Sequence, residues 1–131
     1  LDFILDLKKE GIKTAIATSS NRPKFSHLKT KCPEFVALFD RILTAEDFSA
    51  SKPDPDCYLK AAAALGCTKD ECAVFEDAFT GLQAGMASGM LTIGLTTTNS
   101  REAIEGKCHF ILDSWVGFTT DSLRKLLRSA L

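Results

Sequence analysis

Apolar residues recur along this chain with two alternating periods, one helical and one suited to buried strands. Asp2 to Glu10 sets Phe3, Ile4 and Leu7 on one helical face and stops at Gly11, a good helix-ending residue. Lys13 to Thr18 is short, apolar and bounded by hydroxyl residues, which predicts a buried strand. Arg22 to Cys32 is a weaker helix, with Pro23 tolerated only in its first turn. Arg41 to Thr44 reads as a short strand. Pro53 to Leu65 reads as an alanine-rich helix with proline at its start and Gly66 past its end. Cys72 to Phe75 is an apolar strand leading into Glu76-Asp77. Gly81 to Ser88 predicts a helix ending at Gly89, with Ala84, Gly85 and Ala87 small enough to allow close packing on a sheet. Leu91 to Leu95 and His109 to Leu112 are further strands, and Thr120 or Asp121 caps an amphipathic helix through Leu131.

Strands separated by helices imply parallel βαβ units and an α/β, Rossmann-like, doubly wound sheet. There is no internal repeat, low-complexity tract or long linker, so residues 1–131 read as one domain or most of one. In open parallel sheets, ligands bind beyond the carboxyl ends of the strands. Thr18, Thr44 and the Glu76-Asp77 pair all fall at such ends, so topology and chemistry point to the same place.

Three short segments carry the candidate chemistry. Thr18-Ser19-Ser20-Asn21 offers hydroxyls and backbone N–H groups that can hold phosphate oxygens, although an ordinary helix N-cap explains the same residues. Lys52, ahead of Pro-Asp-Pro-Asp, places a cation at an expected helix N-terminus. That position opposes the helix dipole and calls for a phosphoryl group or carboxylate nearby; a solvated surface lysine is the plain alternative. Glu76-Asp77 ends an Ala-Val-Phe run, where unpaired burial of two carboxylates is costly. Mg2+ takes such oxygens together with waters and substrate phosphate, whereas capping by Asp77 with Glu76 solvated is the competing account. Thr96-Thr97-Thr98-Asn99 follows a strand end and either borders this site or forms a polar loop. His27, His109 and Arg41 carry no catalytic pattern, and Trp115 reads as packing for the last helix.

Composition narrows the function class. A net charge of -1 gives no global electrostatic case for nucleic acid or an anionic membrane. No apolar run reaches the roughly 20 residues needed to span a bilayer. The five cysteines lack Cys-x-x-Cys spacing, which argues against a zinc knuckle or redox pair. Scattered free thiols suit a reducing, cytoplasmic setting. No Gly-x-Gly-x-x-Gly or Gly-x-x-x-x-Gly-Lys-Ser/Thr marks a nucleotide site. Leu1 in place of Met suggests a processed or truncated product.

The ordered set Thr-Ser-Ser-Asn, Ser-Lys-Pro-Asp-Pro-Asp and Phe-Glu-Asp-Ala-Phe-Thr-Gly-Leu-Gln-Ala-Gly resembles the haloacid dehalogenase-like hydrolase superfamily. The nearest branch is that of the β-phosphoglucomutase-like phosphatases and mutases, and the likeness runs from the first helix to about Thr98. It implies that Thr18 binds the transferring phosphoryl group with help from the Ser19 backbone, and that Ser20 and Asn21 line the substrate side. Lys52 would neutralise charge on nucleophile and phosphoryl oxygens. Asp77 would bind Mg2+ directly, and Glu76 directly or through water. Family chemistry uses an aspartate to attack phosphorus, forming an aspartyl-phosphate, with a second aspartate two residues later as general acid and base. The substrates implied are small phosphorylated metabolites, sugar phosphates foremost.

The chain departs from that pattern at its start. The family's first motif, Asp-x-Asp at a strand end, and its helical cap would both precede Leu1. Asp2 and Asp6 do not replace the motif, because they stand four apart on a helix. In the family sheet the strand carrying that motif lies between the Lys13–Thr18 and Cys72–Phe75 strands. The expectation is a core domain lacking its central strand and cap, and inactive in isolation. Two open sheet edges would favour strand donation or self-association. The rival expectation is a non-catalytic Rossmann-like partner-binding module descended from such an enzyme.

Overall fold

The computed structural model describes residues 1–130. The described part has helices on both faces of parallel strands. Helix α1 (Asp2–Lys9) leads into strand β1 (Ala15–Ala17), followed by α2 (Arg22–Lys31), α3 (Pro33–Val36) and β2 (Arg41–Leu43). Helix α4 (Asp56–Leu65), β3 (Ala73–Glu76), α5 (Phe79–Ser88) and β4 (Leu91–Leu95) come next. The last elements are α6 (Arg101–Ile104), β5 (Phe110–Leu112) and α7 (Thr120–Ala130). Single 3-10 turns lie at Ala45–Asp47 and Lys69–Glu71.

The strands form two parallel groups, β1-β2 and β3-β4-β5. Ala15 pairs with Arg41 in the first; Ala73 pairs with Leu91 and Ile93 with Phe110 in the second. Among the described residues, β1 and β3 do not pair with each other.

Alternation along β3 assigns the two faces. Val74 packs with Cys57, Tyr58, Ala84 and Met90, under α4 and α5. Phe75 turns the other way, toward Phe3 and Leu7 of α1 and Leu123 of α7. Trp115 stacks on Phe3 with ring centroids 5.4 Å apart and lies beside Phe75 and Phe118. Its aromatic partners thus lie on α1, on β3 and in the segment before the last helix. Helix α5 lies close on the sheet through Gly81, Ala84, Gly85 and Ser88, all buried, whereas Ala87 is exposed. A Cβ at Gly85 would meet Thr92 Oγ1 at 2.8 Å, closer than real side chains come.

Several boundaries differ from those expected. Helix α4 begins at Asp56, not Pro53, because a turn closed by the Asp54 amide on the Ser51 carbonyl precedes it. Two prolines remove donors there, and each disfavours helical geometry in the residue before it. Lys52 thus lies in a turn, not in the first helical turn, and its peptide bond to Pro53 is cis. The last helix is capped by Thr119, whose hydroxyl accepts the Ser122 amide while the Ser122 hydroxyl accepts the Thr119 amide. The expected end of that helix at Leu131 lies outside the described residues.

Asp6 of α1 joins the two ends of the chain by accepting the Thr120 amide at 2.7 Å. That bond is the main cause holding its carboxyl below the usual range. A depressed carboxylate contributes stability that is present above its unfolded value and lost as pH falls through its folded value. Asp6→Asn should therefore lower the melting temperature at pH 7, with variant and wild type converging at strongly acidic pH. Parallel melting curves across that range, with a constant offset, would show that the carboxylate charge contributes nothing.

Candidate active site

The carboxyl ends of β1 and β3 point to one side of the molecule, and the polar residues expected there do meet. Thr18 continues β1, donating its amide to the Leu43 carbonyl, and its hydroxyl accepts the Ser20 amide at 3.1 Å. The segment is thereby folded back into a small loop ahead of α2. Asn21 is spent on capping, accepting the Lys24 amide at 2.9 Å. Ser19 remains exposed and lines a cleft of about 250 Å³ with Phe48, Ser49, Ser51 and Lys52. Three serines and a lysine among the lining residues suit an anion.

Lys52 reaches from its turn to both strand groups. Its Nζ lies 3.4 Å from the Ala17 carbonyl oxygen and 3.0 Å from Glu76 Oε2. Both side chains of the ion pair are largely buried, at 14% and 13% exposed. The pair is held by more than charge, because Oε2 also accepts the Tyr58 hydroxyl at 2.6 Å. Oε1 accepts the Asp77 and Ala78 amides at 3.0 and 3.2 Å. Gly81 completes the fit: a Cβ there would overlap the Glu76 carboxyl carbon and Oε2. Burial, then the negative charge of Glu76, push the Tyr58 phenol strongly upward, so it remains a donor.

Asp77 is oriented from the other side. Its Oδ2 accepts the Thr98 and Thr97 hydroxyls at 2.6 and 3.1 Å, and its backbone carbonyl accepts the Asn99 amide group. The Thr98 bond is the first cause holding this carboxyl below its usual range, so Asp77 is a carboxylate at neutral pH. The Thr96–Asn99 loop therefore borders the site, resolving an ambiguity that polarity alone left open. Thr44, also at a strand end, instead closes a local capping box with Asp47.

Sequence reasoning missed Tyr58, Gly81 and the Ser49–Ser51 wall of the cleft. Tyr58 carried a signal in retrospect: it lies two residues past Asp56, in the helix that follows Lys52. Among the described residues, no group of three His, Cys, Asp or Glu side chains converges to hold a metal. The cysteines are free, with Cys57 buried and Cys32 exposed. No helix among the described residues is long and apolar enough to cross a membrane.

Residues 1–89 match the sequence profile of the haloacid dehalogenase-like hydrolases. The chain belongs to this family. Within it, the similarity falls in the β-phosphoglucomutase-like branch. Over 104 residues the chain is 43% identical to validoxylamine A 7'-phosphate phosphatase of Streptomyces hygroscopicus subsp. limoneus, covering 79% of this chain and 48% of that protein. Over 94 residues it is 38% identical to β-phosphoglucomutase of Bacillus subtilis (strain 168), covering 71% of this chain and 40% of that protein. The crystal structure of CbbY from Rhodobacter sphaeroides in complex with phosphate superposes with a TM-score of 0.82 at 26% identity. That superposition covers 94% of this chain and 56% of CbbY. This haloacid dehalogenase-like chain thus spans only 40–56% of the length of these three relatives.

Proposed function

We propose that these residues form the phosphate-holding and charge-bearing part of a Mg2+-dependent phosphohydrolase or phosphomutase. Its substrates would be small phosphorylated metabolites, sugar phosphates foremost. The observation that carries this reading is Lys52, fixed between the end of β1 and Glu76 at the end of β3, beside the hydroxyl-lined cleft and the Asp77 carboxylate. The names of the relatives, a sugar-phosphate mutase and a phosphate phosphatase, support the same substrate class.

Each residue then has a task set by its surroundings. Thr18 and the Ser19 backbone hold phosphoryl oxygens, Ser20 supports them, and Asn21 positions the loop through its cap. Lys52 offsets charge that builds on the phosphoryl oxygens during transfer, where a preorganised cation acts without reorganisation. Asp77 supplies a hard, ionised oxygen donor of the kind Mg2+ prefers, and Glu76 stands beside it with both oxygens already hydrogen-bonded. Mg2+ takes one or two carboxylates and completes its shell with water and phosphate; the Asp77 carboxylate fits that demand, whereas Glu76, with two protein donors on each oxygen, would reach the ion only through water. When bound, Mg2+ would supply further neutralisation of phosphoryl charge.

In this reading the attacking aspartate belongs to a strand outside the 131 residues, seated between β1 and β3 and followed elsewhere by a helical cap. The test is phosphate release from p-nitrophenyl phosphate and a panel of sugar phosphates by the longest natural form of the protein, with and without Mg2+. Mg2+-dependent release supports the proposal; no release from any monoester overturns it.

The absence of pairing between β1 and β3 among the described residues favours a second reading, a module that accepts a strand from a partner chain or from another copy. Under it the 131-residue chain alone should elute as oligomer or aggregate. A monomeric elution with a sharp cooperative melt would count decisively against strand acceptance.

A further inference from the structure

Tyr58 is the one buried group at this site that no motif accounts for. It comes from the first turn of α4, is 8% exposed, and brings a single polar atom. That atom lies 2.6 Å from the Glu76 oxygen that also receives Lys52. The Lys52 ammonium lies 5.2 Å from the centroid of the Tyr58 ring, within reach of a cation–π attraction. One tyrosine thus touches both members of the ion pair, the carboxylate through its hydroxyl and the ammonium through its ring face.

The geometry around Glu76 shows why the hydroxyl matters. A carboxylate offers about four lone-pair positions, and here two protein donors meet each oxygen. Without the hydroxyl, Oε2 would have Lys52 as its only partner, and the ammonium could follow any rotation of the carboxylate. With it, Oε2 is pinned between two elements, in the space that the missing side chain of Gly81 leaves free. Lys52 is then aimed by the oxygen it binds.

We propose that Tyr58 is a positioning residue for phosphoryl transfer, fixing Glu76 so that Lys52 points at the phosphate-holding end of β1. This rests on the phosphotransfer reading above. A buried tyrosine merely satisfied by a nearby acceptor is the competing account, and the two differ in what removal of the hydroxyl changes. Positioning errors act in the transition state, where small displacements of a charge are amplified, and leave ground-state binding nearly intact.

The experiment compares wild type, Tyr58→Phe, Glu76→Gln and the double variant in the longest natural form of the protein. Steady-state phosphate release from p-nitrophenyl phosphate and thermal midpoints are both measured. Tyr58→Phe keeps the ring and its face toward Lys52. It should lower kcat about tenfold, with KM changed less than about twofold, as expected for a hydrogen bond to a charged group that serves alignment. The midpoint shift of the double variant should fall short of the sum of the single shifts, because one substitution removes, and the other strips the charge from, the same hydrogen bond. Unchanged kcat in Tyr58→Phe with active wild type overturns the positioning role alone. Additive midpoint shifts overturn it as well, even if kcat falls. Absence of phosphate release by wild type, with non-additive shifts retained, overturns the phosphotransfer reading and leaves the hydrogen bond standing as structure only.

Discussion

Lys52→Ala should lower phosphate release from a monoester by a factor of about 100 to 1,000 in the competent full-length protein. The magnitude is that of deleting one preorganised donor from a developing anionic charge, about 3–4 kcal/mol of transition-state stabilisation. The lysine is mostly shielded from water, which strengthens its interaction with phosphoryl oxygens over that of a surface cation. Stability should change far less. Glu76 keeps the Tyr58 hydroxyl and two backbone amides after the substitution, so the loss should be about 1–2 kcal/mol. Kinetics and a melting curve on the same preparation check both halves. A rate within threefold of wild type would remove Lys52 from the chemistry, and collapse of the melt would make its role structural.

Ile93→Ala should produce the largest loss of stability among single side-chain truncations in the described core. Ile93 is fully buried in β4, the middle strand of its sheet, and faces Phe3, Leu7 and Leu123. Helices from both ends of the chain rest on it, so collapse of the surroundings into the void is limited. Truncations of this kind cost about 2–5 kcal/mol. For a domain of this size that corresponds to a fall of about 8–20 °C in melting temperature. Urea unfolding should show a lower midpoint with unchanged slope, the sign of lost packing in an otherwise intact fold. Loss below about 1 kcal/mol would mean that β4 is not the packed centre described above.

The strands and long helices were legible because burial imposes its period directly on sequence. Leu91–Leu95 carries no charge, has only Thr92 as a polar side chain, and was placed to the residue, being buried along nearly its whole length. Helices α3 and α6 were not foreseen, since four residues are too few to show a 3.6-residue period. The start of α4 was misplaced because proline marks a helix start or a turn before one with equal ease, and only the hydrogen bonds distinguish them. At the site, Thr18, Glu76 and Asp77 were singled out by charge and hydroxyl content at strand ends, and Lys52 by its place ahead of the Pro-Asp-Pro-Asp segment. Thr97 and Thr98 stayed ambiguous because their partner, Asp77, lies twenty residues away or more. Tyr58 and Gly81 escaped notice for a related reason. An aromatic in a helix reads as core, and a glycine whose task is to leave space carries no chemistry of its own.

The arrangement of α4 has a mechanical consequence. This helix packs against β1, β2 and α5 together, while the two strand groups share no backbone ladder. It also bears Tyr58 and is preceded directly by the Lys52 turn. A small rocking of α4 would therefore carry the ammonium and the phenol as one lever arm. The distance between the phosphate-holding loop and the carboxylates would then be set by the tilt of a single helix.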